Sequence, residues 1–223
     1  MGVVTTLEVQ KRNKECVNVY LDGEYAFSLT LLEAVKLRKG QTLTESEIAA
    51  LRGEDEIVRA VDRAARFLSF RPRSIAEVQR NLSQHDTPEP VIELAIERLR
   101  LMGYLDDEAF ARYWLENRTT FKPMGPMALR YELRQKGIAD SVINAVLEAV
   151  DADDSAYRAA HAKALRMRGL SRQAFKNKLG SFLQRRGFNY GTSRDVIEQL
   201  IQELAAENPD FFSESDDAEE MEE

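Results

Sequence analysis

Val91-Ile92-Glu93-Leu94-Ala95-Ile96-Glu97-Arg98-Leu99 decides how this chain is read, because its apolar positions return twice. Val91, Ile92, Ala95, Ile96 and Leu99 correspond to Val142, Ile143, Val146, Leu147 and Val150, then to Val196, Ile197, Leu200, Ile201 and Leu204. A spacing of i, i+1, i+4, i+5 and i+8 is one face of a helix. Upstream of each copy, Val78 and Leu82 recur as Leu129 and Leu133 and as Leu179 and Leu183. The lead-in segments also match: Ser69-Phe70-Arg71-Pro72 with Thr120-Phe121-Lys122-Pro123, and Asp106-Asp107-Glu108-Ala109-Phe110 with Asp153-Asp154-Ser155-Ala156-Tyr157. A helical unit of about fifty residues is therefore copied three times.

The fold expected is mainly α, with tandem three-helix repeats in an elongated curved array. One unit presents an apolar stripe too narrow to bury alone, so stacked neighbours are expected to complete the core. Repeat 1 covers residues 54–104, with helices near 55–69, 74–84 and 88–102. Repeat 2 covers 105–151, with helices near 106–119, 126–136 and 140–150. Repeat 3 covers 152–206, with helices near 153–168, 171–186 and 192–206. The first expected helix break of repeat 2 falls at Lys122-Pro123.

Residues 1–53 read differently. Val17, Val19 and Leu21 alternate with polar neighbours, Asp22-Gly23 supplies a tight turn, and Tyr25, Phe27 and Leu29 resume the alternation, which predicts a β-hairpin. Thr5 to Lys11 adds a third strand, with Arg12-Asn13-Lys14 as its turn. Thr30 with Glu33, Thr44 with Glu47 and Ser74 with Glu77 have the spacing of capping boxes. The first two predict short helices separated near Gly40.

Composition suits a folded body: 43% of residues are hydrophobic and 31% charged. Cys16 is the only cysteine, so neither an intramolecular disulfide nor a cysteine zinc cluster is available, which fits a reducing cytoplasm. The chain does not open on a basic stretch leading into an apolar run, and no segment approaches ~18 consecutive apolar residues; a soluble, unexported monomer is expected.

The net charge of −7 conceals a strong asymmetry. Of the 38 acids, twelve follow Arg194, which leaves 26 against all 31 basic residues in 1–194, a net of +5. Between Ser155 and Arg194 stand Arg158, Lys163, Arg166, Arg168, Arg172, Lys176, Lys178, Arg185, Arg186 and Arg194, with no acid among them. An ordinary solvated helix intersperses both signs, whereas an unrelieved run favours an anionic partner, either phosphate or an acidic protein surface. Arg71 and Arg73 in repeat 1, and Lys122, Arg130, Arg134 and Lys136 in repeat 2, extend the candidate track. From Glu207 the acid-rich remainder is expected to be a disordered tail. Its acids from Glu214 to Glu223 either serve solubility or imitate phosphate over the basic repeat.

No catalytic constellation appears. His85 and His161 are solitary, and neither a phosphate-cradling Gly-Lys-Ser/Thr loop nor a Gly-x-Ser-x-Gly turn occurs. Asp106, Asp107, Asp153 and Asp154 recur at helix starts, where capping and the helix dipole explain them. Tyr104, Phe110 and Trp114 are spaced for core packing rather than base stacking.

The segment Leu101-Met102-Gly103-Tyr104-Leu105-Asp106-Asp107-Glu108-Ala109-Phe110-Ala111, with Tyr113-Trp114 and Arg118, closely resembles the RecX family of RecA recombinase regulators. Arg71-Pro72-Arg73-Ser74 with Glu77-Val78 and Leu82 is similar to that family's first-repeat signature, and Gly125-Pro126, Leu129, Glu132-Leu133 and Lys136-Gly137-Ile138 to its second. The resemblance covers residues 55–206 well. It implies a non-enzymatic protein without cofactor that binds the RecA filament on single-stranded DNA and inhibits its ATPase, strand exchange and coprotease functions. That places it in recombination, DNA repair and the SOS response. The competing expectation is a helical-repeat module that binds DNA or RNA directly, without a recombinase.

Overall fold

The computed structural model describes residues 1–11 and 14–213. Four strands, β1 (Gly2–Val9), β2 (Cys16–Leu21), β3 (Glu24–Thr30) and β4 (Thr42–Leu43), form an antiparallel sheet in the order β3-β2-β1-β4. Helices α1 (Leu31–Ala34) and α2 (Glu45–Leu68) follow it. Three helix sets come next: α3 (Ile75–Ser83) and α4 (Glu89–Leu101), then α5 (Asp107–Phe121), α6 (Pro126–Gln135) and α7 (Asp140–Leu147), then α8 (Ala152–Ala164), α9 (Arg172–Arg185) and α10 (Tyr190–Glu207). The chain divides into two units between Asp106 and Asp107. The sheet and repeat 1 belong to the first unit, and repeats 2 and 3 to the second.

The hairpin forms where the sequence places it. Asp22 and Gly23 both take positive φ, 53° and 91°, as a two-residue turn matching the strand twist requires. Val17, Val19, Phe27 and Leu29 are buried. Tyr25 is not, because the pairing shifts register between Val19 and Tyr20 and sets Tyr25 against Tyr20, ring to ring at 6.0 Å. The third strand occupies Gly2–Val9, a few residues before the expected Thr5–Lys11, and the two-residue β4 pairs with its start at Gly2 and Val3. Arg12 and Asn13 of the expected turn lie outside the described residues.

Two expectations for this region fail. The Thr30 hydroxyl caps nothing; the Thr30 N–H donates to the buried Asp55 carboxylate, and Glu33 instead holds Lys36 at 2.7 Å. The boundary at 53/54 is not a break either. The helix launched by the Thr44–Glu47 capping box runs straight through Gly53 to Leu68, since no proline interrupts it and both halves have a core to cover. Ile48 and Leu51 pack against the sheet, whereas Ala60 and Ala64 belong to repeat 1. Asp55, between them, also holds Arg59 at 2.6 Å, and Arg59 reaches the Ser28 carbonyl, so one buried carboxylate ties helix to sheet.

Each three-helix unit closes its own core, contrary to the expectation that neighbours must supply it. Val78, Leu82, Ile92, Ala95 and Leu99 cluster with Ala60 and Ala64; Leu129, Leu133 and Ile143 cluster with Phe110, Ala111 and Leu115; Leu179, Leu183, Ile197 and Leu200 cluster with Phe175 and Ala160. Three helices crossing around one stripe each are enough to bury these side chains. Repeats 2 and 3 join through backbone: the Gly125 N–H donates to the Arg186 carbonyl at 2.8 Å, and the Met127 N–H to the Gly187 carbonyl at 3.3 Å.

The disordered tail expected from Glu207 is also corrected up to Ser213. Phe211 is 5% exposed, and both Phe211 and Phe212 meet Phe175 edge-on, at 6.4 and 5.2 Å between ring centres. Two large rings outweigh the acidic composition around them. The remaining tail acids lie outside the described residues.

Candidate functional site

The expected basic track separates into residues with internal tasks and residues without them. In repeat 1, Arg71 holds Glu77 at 2.9 Å, and Arg73 lies 3.9 Å from Glu77 and 4.0 Å from the centre of the Phe67 ring, its Nε buried without a hydrogen-bond partner among the described residues. Desolvation, together with the neighbouring Arg71 charge, pushes the Arg73 guanidinium below its ordinary pKa. In repeat 2, Arg134 grips Asp140 with two hydrogen bonds at 2.7 and 3.1 Å, Arg130 donates to Asn144 at 2.6 Å, and Lys136 stands 5.0 Å from the Trp114 ring centre. Lys122 is exposed.

Trp114 and Phe110 are core-facing as expected, but Tyr104 is 64% exposed. Gly103 takes φ +75° to end α4, and this reversal sends Leu105 inward and Tyr104 outward. Asp153 and Asp154 lie in the first turn of α8, while the side-chain cap comes from Asp151, which accepts from both their N–H groups.

In repeat 3 the charge run is relieved at its two ends by acids just outside it and at one interior position by a carboxylate from α10. Arg158 pairs with Asp154 at 2.9 Å, Lys176 with Glu198 at 2.8 Å and Arg194 with Asp195 at 2.8 Å. Arg186 donates to the Pro123 carbonyl at 3.1 Å and lies 5.0 Å from the Phe182 ring centre, so it belongs to the joint between repeats. Arg172 is exposed beside Phe212.

Lys122 apart, four of the expected residues remain, and they converge. Arg166, Arg168, Lys178 and Arg185 line one concavity of about 590 Å³, joined by Lys163. None of these five pairs with a carboxylate among the described residues. Local structure explains the convergence. Lys163 lies in the last turn of α8, where a cation suits the helix dipole. Met167, 8% exposed, is inserted in the core, and this turns its neighbours Arg166 and Arg168 outward. Gly169 reverses the chain at φ +81°, and Ser171 caps α9 by accepting from the Ala174 N–H. Lys178, Ser181 and Arg185 then fall on one helix face. The Asn208–Ser213 segment braces the arginine loop: the Gly169 N–H donates to the Phe211 carbonyl at 2.8 Å, and the Ser213 N–H to the Leu170 carbonyl at 3.1 Å.

Concentrated like charge raises the local potential, which an anion relieves, and guanidinium groups offer forked donors suited to phosphate or carboxylate. Lys163 was visible in the sequence only as one member of the run; its place at the concavity depends on how α8 packs against α9.

Family models match four successive segments: the regulatory protein RecX N-terminal domain over residues 2–44, and the first, second and third three-helix domains of RecX over 60–99, 106–147 and 151–197. The chain is 34% identical over 213 residues to regulatory protein RecX of Bacillus subtilis strain 168, spanning 93% of this chain and 79% of that protein. The chain belongs to the RecX family. RecX of Lactobacillus delbrueckii subsp. bulgaricus is likewise 34% identical, over 93% of this chain and 76% of that protein. A crystal structure of regulatory protein RecX superposes with TM-score 0.74 at 28% identity, covering 89% of this chain and all of that one. RecX from Lactobacillus salivarius gives TM-score 0.59 at 26% identity, over 69% of this chain and 99% of that one. The three-helix repeats and the N-terminal strand region described above agree with the matched RecX domains and with the first of these structures. No helix among the described residues is long and apolar enough to cross a membrane.

Proposed function

We propose that this protein is a non-enzymatic inhibitor of the RecA recombinase. It binds the RecA filament on single-stranded DNA and suppresses ATPase, strand exchange and coprotease activity. Membership of a family of regulatory proteins supports this reading, and the convergence of Lys163, Arg166, Arg168, Lys178 and Arg185 without carboxylate partners among the described residues carries its chemistry. These cations meet phosphates of the filament's strand, and binding favours one arrangement of the recombinase over another. A ligand shifts such an equilibrium only by its differential affinity for the two states, so a stoichiometric binder without turnover suffices.

The test is RecA ATPase on saturating single-stranded DNA with sub-stoichiometric amounts of this protein. Strong inhibition that survives excess DNA supports filament recognition. Inhibition abolished by excess DNA favours the second reading, a direct nucleic-acid-binding module that competes for the strand. Because the contacts are ionic, binding should fall steeply as salt rises.

A further inference from the structure

A second concavity, of about 570 Å³, opens on a neighbouring face of α9, in the groove towards α10, and Asn177 lines both. Its lining differs from that of the cation site. Phe188 and Ile197, 2% and 6% exposed, supply apolar walls, and the amides of Gln173, Asn177 and Gln184 supply donors and acceptors. The cations on this side are already neutralised, Lys176 by Glu198 and Arg194 by Asp195.

Three features of the groove serve no evident purpose in the fold. Tyr190, in the first turn of α10, is 81% exposed on its lining. Ser193 is 6% exposed, yet its hydroxyl finds no hydrogen-bond partner among the described residues, a costly state for a buried polar group. Gly180 sits mid-helix, where glycine is unfavourable, although a Cβ there would meet only the Ile197 Cδ1 at an ordinary 3.8 Å. Packing does not require glycine at 180, whereas an open groove does.

A flat heteroaromatic ring uses the first and the last: it stacks on the tyrosine, lies over the space left by the glycine and offers edge atoms to the amides. We propose that this groove receives one unstacked base of a single-stranded nucleic acid whose neighbouring phosphates lie against the cations, the strand crossing α9 beside Asn177. The proposal rests on reading the cation concavity as a phosphate site, and it makes repeat 3 selective for single strands, because a duplex keeps its bases stacked and paired.

The test uses the full-length protein and fluorescence anisotropy with two oligomers of equal length and charge, oligo-dT and a fully abasic phosphodiester strand. The expected result is tighter binding of oligo-dT by roughly 5- to 150-fold, the scale of one stacked base. Tyr190→Ala should bring this ratio close to one, Tyr190→Phe should retain it, and thermal melts should show both variants folded. Arg185→Glu should weaken binding of both strands. Equal affinity of the wild-type protein for the two strands would overturn the base site while leaving the phosphate reading intact. A preference for oligo-dT that survives Tyr190→Ala would overturn it too, by locating base contacts elsewhere. Failure to bind either strand at low salt would overturn the phosphate reading and the base site with it.

Discussion

Gly125 and Gly187 meet backbone to backbone, closely enough that neither position has room for a side chain. A Cβ on Gly125 would stand 2.2 Å from the Gly187 carbonyl oxygen, and one on Gly187 would stand 2.4 Å from the Ala128 Cβ. The two positions differ in cause. Gly125 has φ −77°, which any residue adopts, so only the contact excludes a side chain; Gly187 has φ +82° and is constrained by conformation as well. The equivalents of Gly125 in repeats 1 and 3 are Ser74 and Ser171, each of which caps its helix with its hydroxyl. Helix α6 forgoes that cap so that the end of α9 can dock.

Gly125→Ser therefore separates the two effects. Considered alone, α6 would gain only about 0.3 kcal/mol from a serine cap, since glycine is itself a tolerable N-cap residue. The close approach predicts the opposite sign, a net destabilisation of about 1 to 3 kcal/mol from overpacking. Urea unfolding of the variant beside the wild-type protein checks it, and a gain in stability would refute the tight joint.

The segment after α10 makes a sharper case. Phe211 and Phe212 pack on Phe175, and their backbone holds the loop carrying Arg166 and Arg168. Truncation after Glu207 should cost on the order of 3 to 5 kcal/mol, the scale of deleting a buried aromatic side chain, and should weaken anion binding by releasing that loop. Truncation after Ser213 keeps both rings and the braced loop, and serves as the comparison. If the acids from Glu214 to Glu223 shield the cations, this shorter truncation tightens binding of single-stranded DNA at low salt; unchanged affinity assigns them to solubility.

Helix faces such as Val91–Leu99 and caps such as Ser74–Glu77 are local patterns, repeated or spaced within a turn or two, and they are legible without a partner in view. Arg186, Arg134 and Lys176 look identical to Arg185 and Lys178 along the chain, because the Pro123 carbonyl, Asp140 and Glu198 that occupy them are set by tertiary packing. The Phe211–Phe212 fold-back was hidden by composition, since two aromatic residues among acids read as solvated until Phe175 is placed opposite them. Likewise, a two-residue strand such as Thr42–Leu43 has no periodicity to detect.

The sorting of cations predicts distinct phenotypes. Arg73→Ala removes a largely buried side chain from the Phe67 ring and from Glu77 and should destabilise repeat 1 by about 1 to 2 kcal/mol, with little change in the salt dependence of DNA binding. Arg168→Glu should leave unfolding within ~0.5 kcal/mol of wild type and reduce both the affinity and its salt slope. Leu133→Ala, at a fully buried position, should cost about 2 to 5 kcal/mol. Denaturant titrations paired with anisotropy at several salt concentrations distinguish the three, and equal binding defects in Arg73→Ala and Arg168→Glu would contradict the division.

The Arg134–Asp140 pair, which bridges the end of α6 and the start of α7, gives a prediction about pH. Hydrogen bonding from the Arg134 guanidinium holds the Asp140 carboxyl below its ordinary value and raises the arginine in return. For an acid whose pKa is lower folded than unfolded, the associated stabilisation is fully present above the unfolded value and is lost as pH falls through the folded one. The junction should thus keep its bridge at neutral pH and lose it only below the usual aspartate range. Both groups are exposed, so the effect on global stability is small, and side-chain carboxyl NMR is the better measure. Asp140 should titrate below other exposed aspartates in the wild-type protein and return towards them in Arg134→Gln; an unchanged midpoint would mean that solvent, rather than the guanidinium, sets its proton affinity.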